Sequence, residues 1–199
     1  MVDFIEVYED SLDPQLCADI IDEFNHMVDS SNPGVKYNNN DTYDGFRQDT
    51  QIHALKHDSW KPYTDAIKDS LALTWSQYNR KYWPDPVYER DMDPIPFSRV
   101  FHEDIKIQYS PPGGGYCSWH CEQGRGKVPT LSRFAVWIIY LNDVPEGGAT
   151  QFRSQDVEYQ PTTGTTVIWP AAYTHFHRSS PDLKSDKYIA TGWFCYGQE

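Results

Sequence analysis

Basic side chains are in short supply in this sequence. Lysine and arginine number 17 against 29 aspartates and glutamates, which gives a formal net charge of −12 at pH 7. A nucleic-acid interface needs clustered cations that displace the counterions of the phosphates, so this balance predicts no nucleic-acid partner. A local basic pocket for a small anion remains compatible with the composition.

Long apolar stretches and cysteines are also scarce. No segment approaches the roughly 20 apolar residues that a transmembrane helix needs, which predicts no membrane partner. The first residues show no basic cluster followed by an apolar core, so they do not resemble a signal peptide. Four cysteines are too few for a disulfide scaffold in a chain of this size. We therefore expect a cytoplasmic protein.

The length of the chain predicts its domain organisation. With 199 residues it is long enough for one sizeable core and too short to require two. We predict a single domain over residues 1–199. Within it, residues 1–103 form an N-terminal support of helices and a strand, and residues 104–199 form a β core that contains the site.

The first part of the chain is predicted to be mainly helical. Asp13 followed by Pro14 is typical of a helix start, and apolar residues at helical spacing extend that helix over 14–29. The same spacing predicts a second helix over about 60–82. Two other segments, the Asn-rich 30–45 and the Pro-rich 84–96, are predicted to be loops and are candidates for a lid over the site.

From residue 104 onward the pattern favours short strands separated by turns rich in glycine and proline. The predicted strands are Ile105–Tyr109, Cys117–Cys121, Ser132–Leu141, Thr150–Phe152, Thr165–Trp169, Thr174–His177 and Lys187–Tyr196. Many short strands at this spacing indicate a sandwich, barrel or jelly roll. With two helices packed outside it, the fold class is α+β.

One predicted strand contains the pair His120 and Glu122. Side chains alternate along a strand, so these two would share a face and offer a nitrogen and an oxygen to one divalent metal. Cys117 and Cys121 would point the other way, which disfavours a thiolate zinc site.

A later predicted strand offers a third ligand, from His175 or His177. Two histidines and one carboxylate form the facial arrangement associated with non-haem Fe(II) oxygenases. Ten residues after His177, Lys187 opens an aromatic strand, at a place where a cation could bind a dicarboxylate.

The order of motifs over roughly Ile105 to Phe194 resembles the Fe(II)/2-oxoglutarate-dependent dioxygenases of the prolyl 4-hydroxylase type. The motifs are Tyr109 with the turn to Gly115-Tyr116, His120-x-Glu122, Ile139-Tyr140-Leu141-Asn142, Glu146-Gly147-Gly148, Gly164 with Val167-Ile168-Trp169-Pro170, His177 with Pro181, and Lys187-Tyr188 with Gly192-Trp193. The resemblance implies a double-stranded β-helix, a jelly roll of cupin type. It also implies a hydroxylase that uses Fe(II), 2-oxoglutarate and O2, with ascorbate as a further candidate and succinate and CO2 as coproducts.

The resemblance also implies roles for individual residues. His120, Glu122 and His177 match the catalytic metal ligands. Lys187 and Tyr140 match the residues that bind the C5 carboxylate of 2-oxoglutarate, and Tyr109 matches a tyrosine that lines the cosubstrate pocket. Trp193 is expected on the pocket wall.

Two points in the sequence depart from the family pattern or leave it open. The usual carboxylate ligand is aspartate, whereas this chain has Glu122, which is one methylene longer. His177 fits the spacing to Pro181 and Lys187, and His175 fits the distance from the preceding aromatic-proline pair. The substrate is expected to be a peptide, a protein or a small molecule. The alternative function is a non-catalytic metal-binding module of cupin type, which would give no reason for Lys187.

Overall fold

The computed structural model describes residues 2–30, 32–82, 97, 100–124 and 128–197. The strands are β1 (Glu6–Tyr8), β2 (Val35–Thr42), β3 (Gly45–His53), β4 (Val100–Ser110), β5 (Gly115–Tyr116), β6 (Arg133–Tyr140), β7 (Thr150–Phe152), β8 (Val157–Tyr159), β9 (Thr166–Pro170), β10 (His177–Ser179) and β11 (Lys187–Tyr196). The helices are α1 (Pro14–Asp29), α2 (Lys61–Tyr82) and the short α3 (Val128–Leu131). Short 3-10 helices span Ala54–Lys56, Asp58–Trp60 and Tyr173–His175.

The strands form two antiparallel sheets. The main sheet has the order β1-β9-β6-β11-β4-β3-β2, with β5 added to β3, and the small sheet has the order β10-β7-β8. A cavity between them is lined by residues of both sheets. This curled pair of sheets is the double-stranded β-helix that the sequence led us to expect, and the α+β class is confirmed.

The central strands of the main sheet separate two environments by simple alternation. Ile105 and Ile107 of β4 are fully buried in the larger hydrophobic cluster, together with residues of α1 and α2. Lys106 and Gln108 of the same strand point the other way and line the cavity. The period of two therefore gives β4 a dry helix-side face and a polar cavity-side face, whereas β6 and β9 add the apolar side chains of Val136, Ile138 and Trp169 to the cavity wall.

Helix α1 begins and ends where the sequence predicts. The Asp13 carboxylate accepts hydrogen bonds from the backbone N–H groups of Gln15 (2.8 Å) and Leu16 (3.1 Å), which caps the helix. Its apolar stripe buries Ile20 and Phe24 against the sheet. Helix α2 follows the second predicted range closely.

Three local predictions need correction. The segment 30–45, predicted to be a loop, contains β2 and the first residue of β3, which form a hairpin. The predicted strand Cys117–Cys121 is reduced to a single bridge at His120. The predicted strand Thr174–His177 is a 3-10 helix that ends at His175, followed by β10. The segment 84–96 lies outside the described residues.

Within the described residues, no helix combines the length and the apolar character that a bilayer crossing requires.

Candidate active site

His120, Glu122 and His177 converge at one point of the cavity wall. One ligand-type atom of each residue lies within 4.8 Å of the others. The Nε2 atoms of His120 and His177 are 3.4 and 3.6 Å from Oε1 of Glu122. Two imidazoles and one carboxylate in this arrangement fit a divalent first-row metal such as Fe(II).

A backbone bridge brings the two histidines together. His120 donates its N–H to the His177 carbonyl (3.1 Å), and His177 donates its own to the His120 carbonyl (2.9 Å). Residues that exchange both hydrogen bonds in an antiparallel pair face each other, with their side chains on the same side. The two imidazole centroids lie 4.4 Å apart as a result.

The second nitrogen of each imidazole is used by the backbone. Nδ1 of His120 lies 2.8 Å from the Ser118 carbonyl oxygen, and Nδ1 of His177 lies 3.0 Å from that of His175. A carbonyl only accepts, so Nδ1 carries the proton in each ring. Both Nε2 lone pairs are therefore directed at the cluster, as a metal-ligating histidine requires.

The Glu122 carboxylate divides its two oxygens between different partners. Oε1 faces the imidazoles, whereas Oε2 accepts hydrogen bonds from Trp193 Nε1 (2.8 Å) and Arg133 (3.2 Å). Burial alone would raise the pKa of Glu122, but the imidazoles of His120 and His177 hold that pKa well below its usual value. The acid is thus anionic and held in place.

His177 is protected from protonation. Burial, reinforced by the neighbouring His120, lowers the pKa of His177 below its ordinary value. A neutral imidazole keeps its Nε2 lone pair for a metal.

A cavity of about 330 Å³ opens beside the cluster. Its charged lining consists of the cations Arg47, Lys106, Arg133, Arg178 and Lys187 and the acids Asp49 and Glu122. Five cations against two acids make this cavity basic, although the whole chain has a net charge of −12. Such a lining suits an anionic ligand.

Lys187 is the most deeply buried of these cations. Its ammonium donates to the Gly148 carbonyl and makes no ion pair with any acid in the described part of the chain. Burial lowers the pKa of Lys187 to about 8. The accepting carbonyl belongs to a turn in which Gly147 and Gly148 have φ of 73° and 64°, a conformation that favours glycine.

Tyr140 lies next to Lys187 but behind the cavity wall. The Lys187 ammonium is 5.8 Å from the centroid of the Tyr140 ring. The Tyr140 hydroxyl is fully buried and donates to Thr150 Oγ1 (2.7 Å), a residue that lines the cavity. The predicted pair of Lys187 and Tyr140 is therefore adjacent in space.

Tyr109 is not brought to the cavity, which corrects its predicted place in the cosubstrate pocket. Its side chain points to the same side of β4 as that of Ile107, so it packs on the helix-side face against Tyr188. Its hydroxyl donates to Asp186 (2.9 Å). The motif around Tyr109 drew attention to it, whereas the period of the strand excludes it from the cavity face.

The two downstream histidines do not share a strand, contrary to expectation. His175 closes the 3-10 helix, and its Nε2 lies 2.7 Å from the Asp3 carbonyl. His177 alone of the two reaches the cluster with Glu122.

Sequence patterns did not assign a role to several residues at the site. Tyr116 stacks on His120 with centroids 3.9 Å apart, and Arg133 holds Glu122. Lys106 lies over the Trp193 ring, whose predicted place on the pocket wall agrees with the structure. The alternation Lys106-x-Gln108-x-Ser110 was the available signal for β4, because three polar residues share one face of a buried strand.

Comparison of the sequence with known proteins finds a matching family model and similar proteins. Residues 106–195 match the model of the 2OG-Fe(II) oxygenase superfamily. Prolyl 4-hydroxylase subunit alpha-1 of Homo sapiens is 32% identical over 105 residues, which are 46% of this chain and 20% of that protein. The chain thus spans about a fifth of the length of such curated relatives.

Solved structures share the fold over nearly the whole chain. A viral collagen prolyl hydroxylase from Paramecium Bursaria Chlorella virus-1, solved as its 2OG complex, has a TM-score of 0.66 at 18% identity and covers 98% of this chain and 97% of its own. A prolyl hydroxylase from Trichoplax adhaerens, solved with a hypoxia inducible factor peptide fragment, has a TM-score of 0.70 at 12% identity and covers 98% and 84%.

Proposed function

We propose that the protein is an oxygenase of the 2OG-Fe(II) superfamily, whose model matches residues 106–195, and that it hydroxylates a C–H bond of a proline-containing substrate. His120, Glu122 and His177 are the proposed ligands of Fe(II). Lys187 is the proposed anchor of the 2-oxoglutarate C5 carboxylate.

A single observation supports this proposal most strongly. One cavity contains both a two-histidine, one-carboxylate cluster and a buried lysine without an acidic partner among the described residues. The cluster suits a divalent metal, and the lysine suits the far end of a dicarboxylate. A metal-binding module without catalysis would need the cluster but not a desolvated ammonium nearby.

Fe(II) and 2-oxoglutarate, when bound, supply the oxidising chemistry, in which O2, 2-oxoglutarate and the substrate C–H give succinate, CO2 and the hydroxylated product. The chain's own residues supply position and charge. Trp193 and Arg133 fix Oε2 of Glu122, so the carboxylate presents Oε1 toward the imidazoles. The backbone carbonyls behind each histidine fix the orientation of its ring.

Lys187 would bind its carboxylate in a site sheltered from water. A charge-assisted hydrogen bond in a buried site is shorter and stronger than one in water, and it orients the ligand as well as holding it. Thr150, held by the Tyr140 hydroxyl, offers a second polar group on the same wall. Water that is excluded here cannot compete for the cosubstrate carboxylate.

The proline-containing substrate is proposed from the relatives. The similar proteins are prolyl hydroxylases, and one of them was solved with a peptide fragment bound. The same fold hosts many substrates, so the site must be tested directly.

The experiment is an assay of succinate formed from 2-oxoglutarate by the Fe(II)-loaded protein, with a panel of proline peptides and free proline. Succinate that depends on both metal and substrate, with one hydroxyl added per succinate, is the expected result. Metal binding without 2-oxoglutarate consumption for any substrate would favour the non-catalytic module instead.

A further inference from the structure

The cations of the cavity differ in whether an acid already neutralises them. Arg47 is paired with the buried Asp49 at 2.6 Å. Arg133 is paired with Glu103 at 2.7 Å and with Glu122 at 3.2 Å. The positive charges of these two arginines are therefore largely compensated by acids, and their role is to hold the acids of the cavity wall in place.

Lys106 differs from these two arginines, because it has a cavity position and no acid at ion-pair distance among residues 2–30, 32–82, 97, 100–124 and 128–197. Arg178 also lacks such an acid, but it donates to Gln151 (3.0 Å) and lies over the Trp119 ring. The ammonium lies 4.5 Å from the centroid of the Trp193 ring, and its side chain is only partly exposed. Burial lowers the pKa of Lys106, and the more distant Asp104 and Glu122 oppose that change. Keeping a desolvated cation here is costly unless a ligand supplies the anion.

The position of Lys106 separates it from the proposed cosubstrate anchor. On the paired strands β4 and β11, Lys106 lies opposite Thr191 and Ser110 lies opposite Lys187. The backbone positions of the two lysines are therefore four residues apart along the strand direction, which is about 13 Å. The Lys106 ammonium lies over Trp193, which is two residues further from Lys187 along β11. A five-carbon chain spans only about 5 Å from bonds of about 1.5 Å. One 2-oxoglutarate held by Lys187 therefore leaves Lys106 for the other reactant.

We propose that Lys106 binds a carboxylate of the molecule that is hydroxylated, so that the enzyme selects an anionic proline-type substrate. This inference rests on the proposed function. The carboxylate has two sources: the α-carboxylate of free proline, or the side chain of an acidic residue next to proline in a peptide. Trp193 contacts both Lys106 and Glu122. A substrate carboxylate bound to Lys106 therefore lies beside the proposed metal ligands.

The test measures binding rather than turnover, with the protein loaded with Mn(II) and 2-oxoglutarate in the absence of O2. Titration calorimetry compares two matched pairs of ligands: L-proline with L-prolinamide, and acetyl-Pro-Glu-amide with acetyl-Pro-Gln-amide. We expect the anionic member of one pair to bind about tenfold or more tightly, as suits a hydrogen bond to a charged group. The pair that shows the difference identifies the source of the carboxylate.

The variant Lys106→Met keeps an unbranched side chain of similar length and removes the charge. It is expected to abolish the preference within that pair. Its affinities for 2-oxoglutarate and Mn(II) should stay within about twofold of those of the natural protein, a difference of about 0.4 kcal/mol in binding free energy. Lys36→Met, which removes an exposed lysine of β2 outside the cavity, is the matched control and should keep the preference.

Two results would overturn the inference. One is equal binding within both pairs by the natural protein. The other is a Lys106→Met protein that loses affinity for 2-oxoglutarate or Mn(II) and keeps the preference, which would make Lys106 a support of the cofactor site. Failure of the natural protein to bind 2-oxoglutarate in the first titration would instead refute the proposed function itself.

Discussion

The two faces of strand β4 in the main sheet have opposite properties. On the helix side, Ile105 and Ile107 are fully buried against α1 and α2. On the cavity side, Lys106 and Gln108 face charged groups and a cavity of about 330 Å³. The difference shows that neighbouring residues of one strand serve separate purposes, with stability on one face and chemistry on the other.

This division makes specific predictions about substitutions. A change of a polar β4 residue on the cavity face should alter ligand binding with little loss of stability, because these side chains line the cavity and are not part of the close-packed core. A change on the helix face should lower stability and leave the geometry of the site intact, because the core behind the sheet is close-packed.

The largest effect is expected on the cavity side, from His177→Ala. Removing this imidazole should lower the affinity for Fe(II) by more than about 100-fold, since loss of an outer partner of a ligand alone costs about 10–100-fold. Hydroxylation should fall to background. His175→Ala is the matched control, because His175 bonds to the Asp3 carbonyl and not to the cluster. Metal content by mass spectrometry checks both variants, and equal metal retention would contradict the assignment.

The second-largest effect is expected from Lys187→Ala. Loss of a buried charged partner costs about 2 kcal/mol or more, which is roughly 30-fold or more in affinity for 2-oxoglutarate. Metal binding should be retained, because Lys187 is not part of the cluster. The KM for 2-oxoglutarate measures the effect, and an unchanged KM would remove Lys187 from the cosubstrate site.

On the helix side, Ile107→Ala should destabilise the protein by about 2–5 kcal/mol through the cavity it leaves in the core. The neighbouring Lys106→Met should not lower the free energy of unfolding, because it removes a partly desolvated cation that has no acid at ion-pair distance among the described residues. Urea denaturation of the two variants tests the comparison within a single strand. Similar losses in both would show that the two faces are not separate.

The smallest effect concerns pH. Burial lowers the pKa of Lys187 to about 8, so its positive charge is present below that pH and is lost as the pH rises through it. Affinity for 2-oxoglutarate should therefore fall about tenfold between pH 7 and pH 9. Lys187→Arg stays protonated over this range and should remove the pH dependence. An affinity for 2-oxoglutarate that does not change with pH in the natural protein would contradict the assignment of Lys187 as an anchor that loses its charge in this range.

The sequence predicted elements well where local signals and burial agree. Helix α1 has its cap at Asp13 and an apolar stripe, and strand β11 has a run of buried residues, so both were predicted with the bounds that the structure shows. The hairpin of β2 and β3 was missed. Most of β2 is exposed and polar, and it is held by pairing with β3 rather than by a buried face.

The predicted site depended on pairings between residues distant in sequence. The spacing of His120 and Glu122 suggested two ligands, but the chain there is not a regular strand, and the bridge to His177 supplies the geometry. Motif matching placed Tyr109 at the cosubstrate, and alternation along β4 places it on the other face. Arg133 was not found, because its link to Glu122 depends on backbone hydrogen bonds between distant residues: the Glu122 N–H donates to the Ala171 carbonyl, and the Ala171 N–H donates to the Phe134 carbonyl.

The central claim is that metal and cosubstrate bind together in the cavity between the sheets. Titration of 2-oxoglutarate into the protein without O2, with and without one equivalent of Mn(II), tests it most directly. We expect tight binding that requires the metal, is lost in His177→Ala and is weakened about 30-fold or more in Lys187→Ala. Binding of 2-oxoglutarate that is the same with and without metal, or that survives both substitutions, would contradict the account.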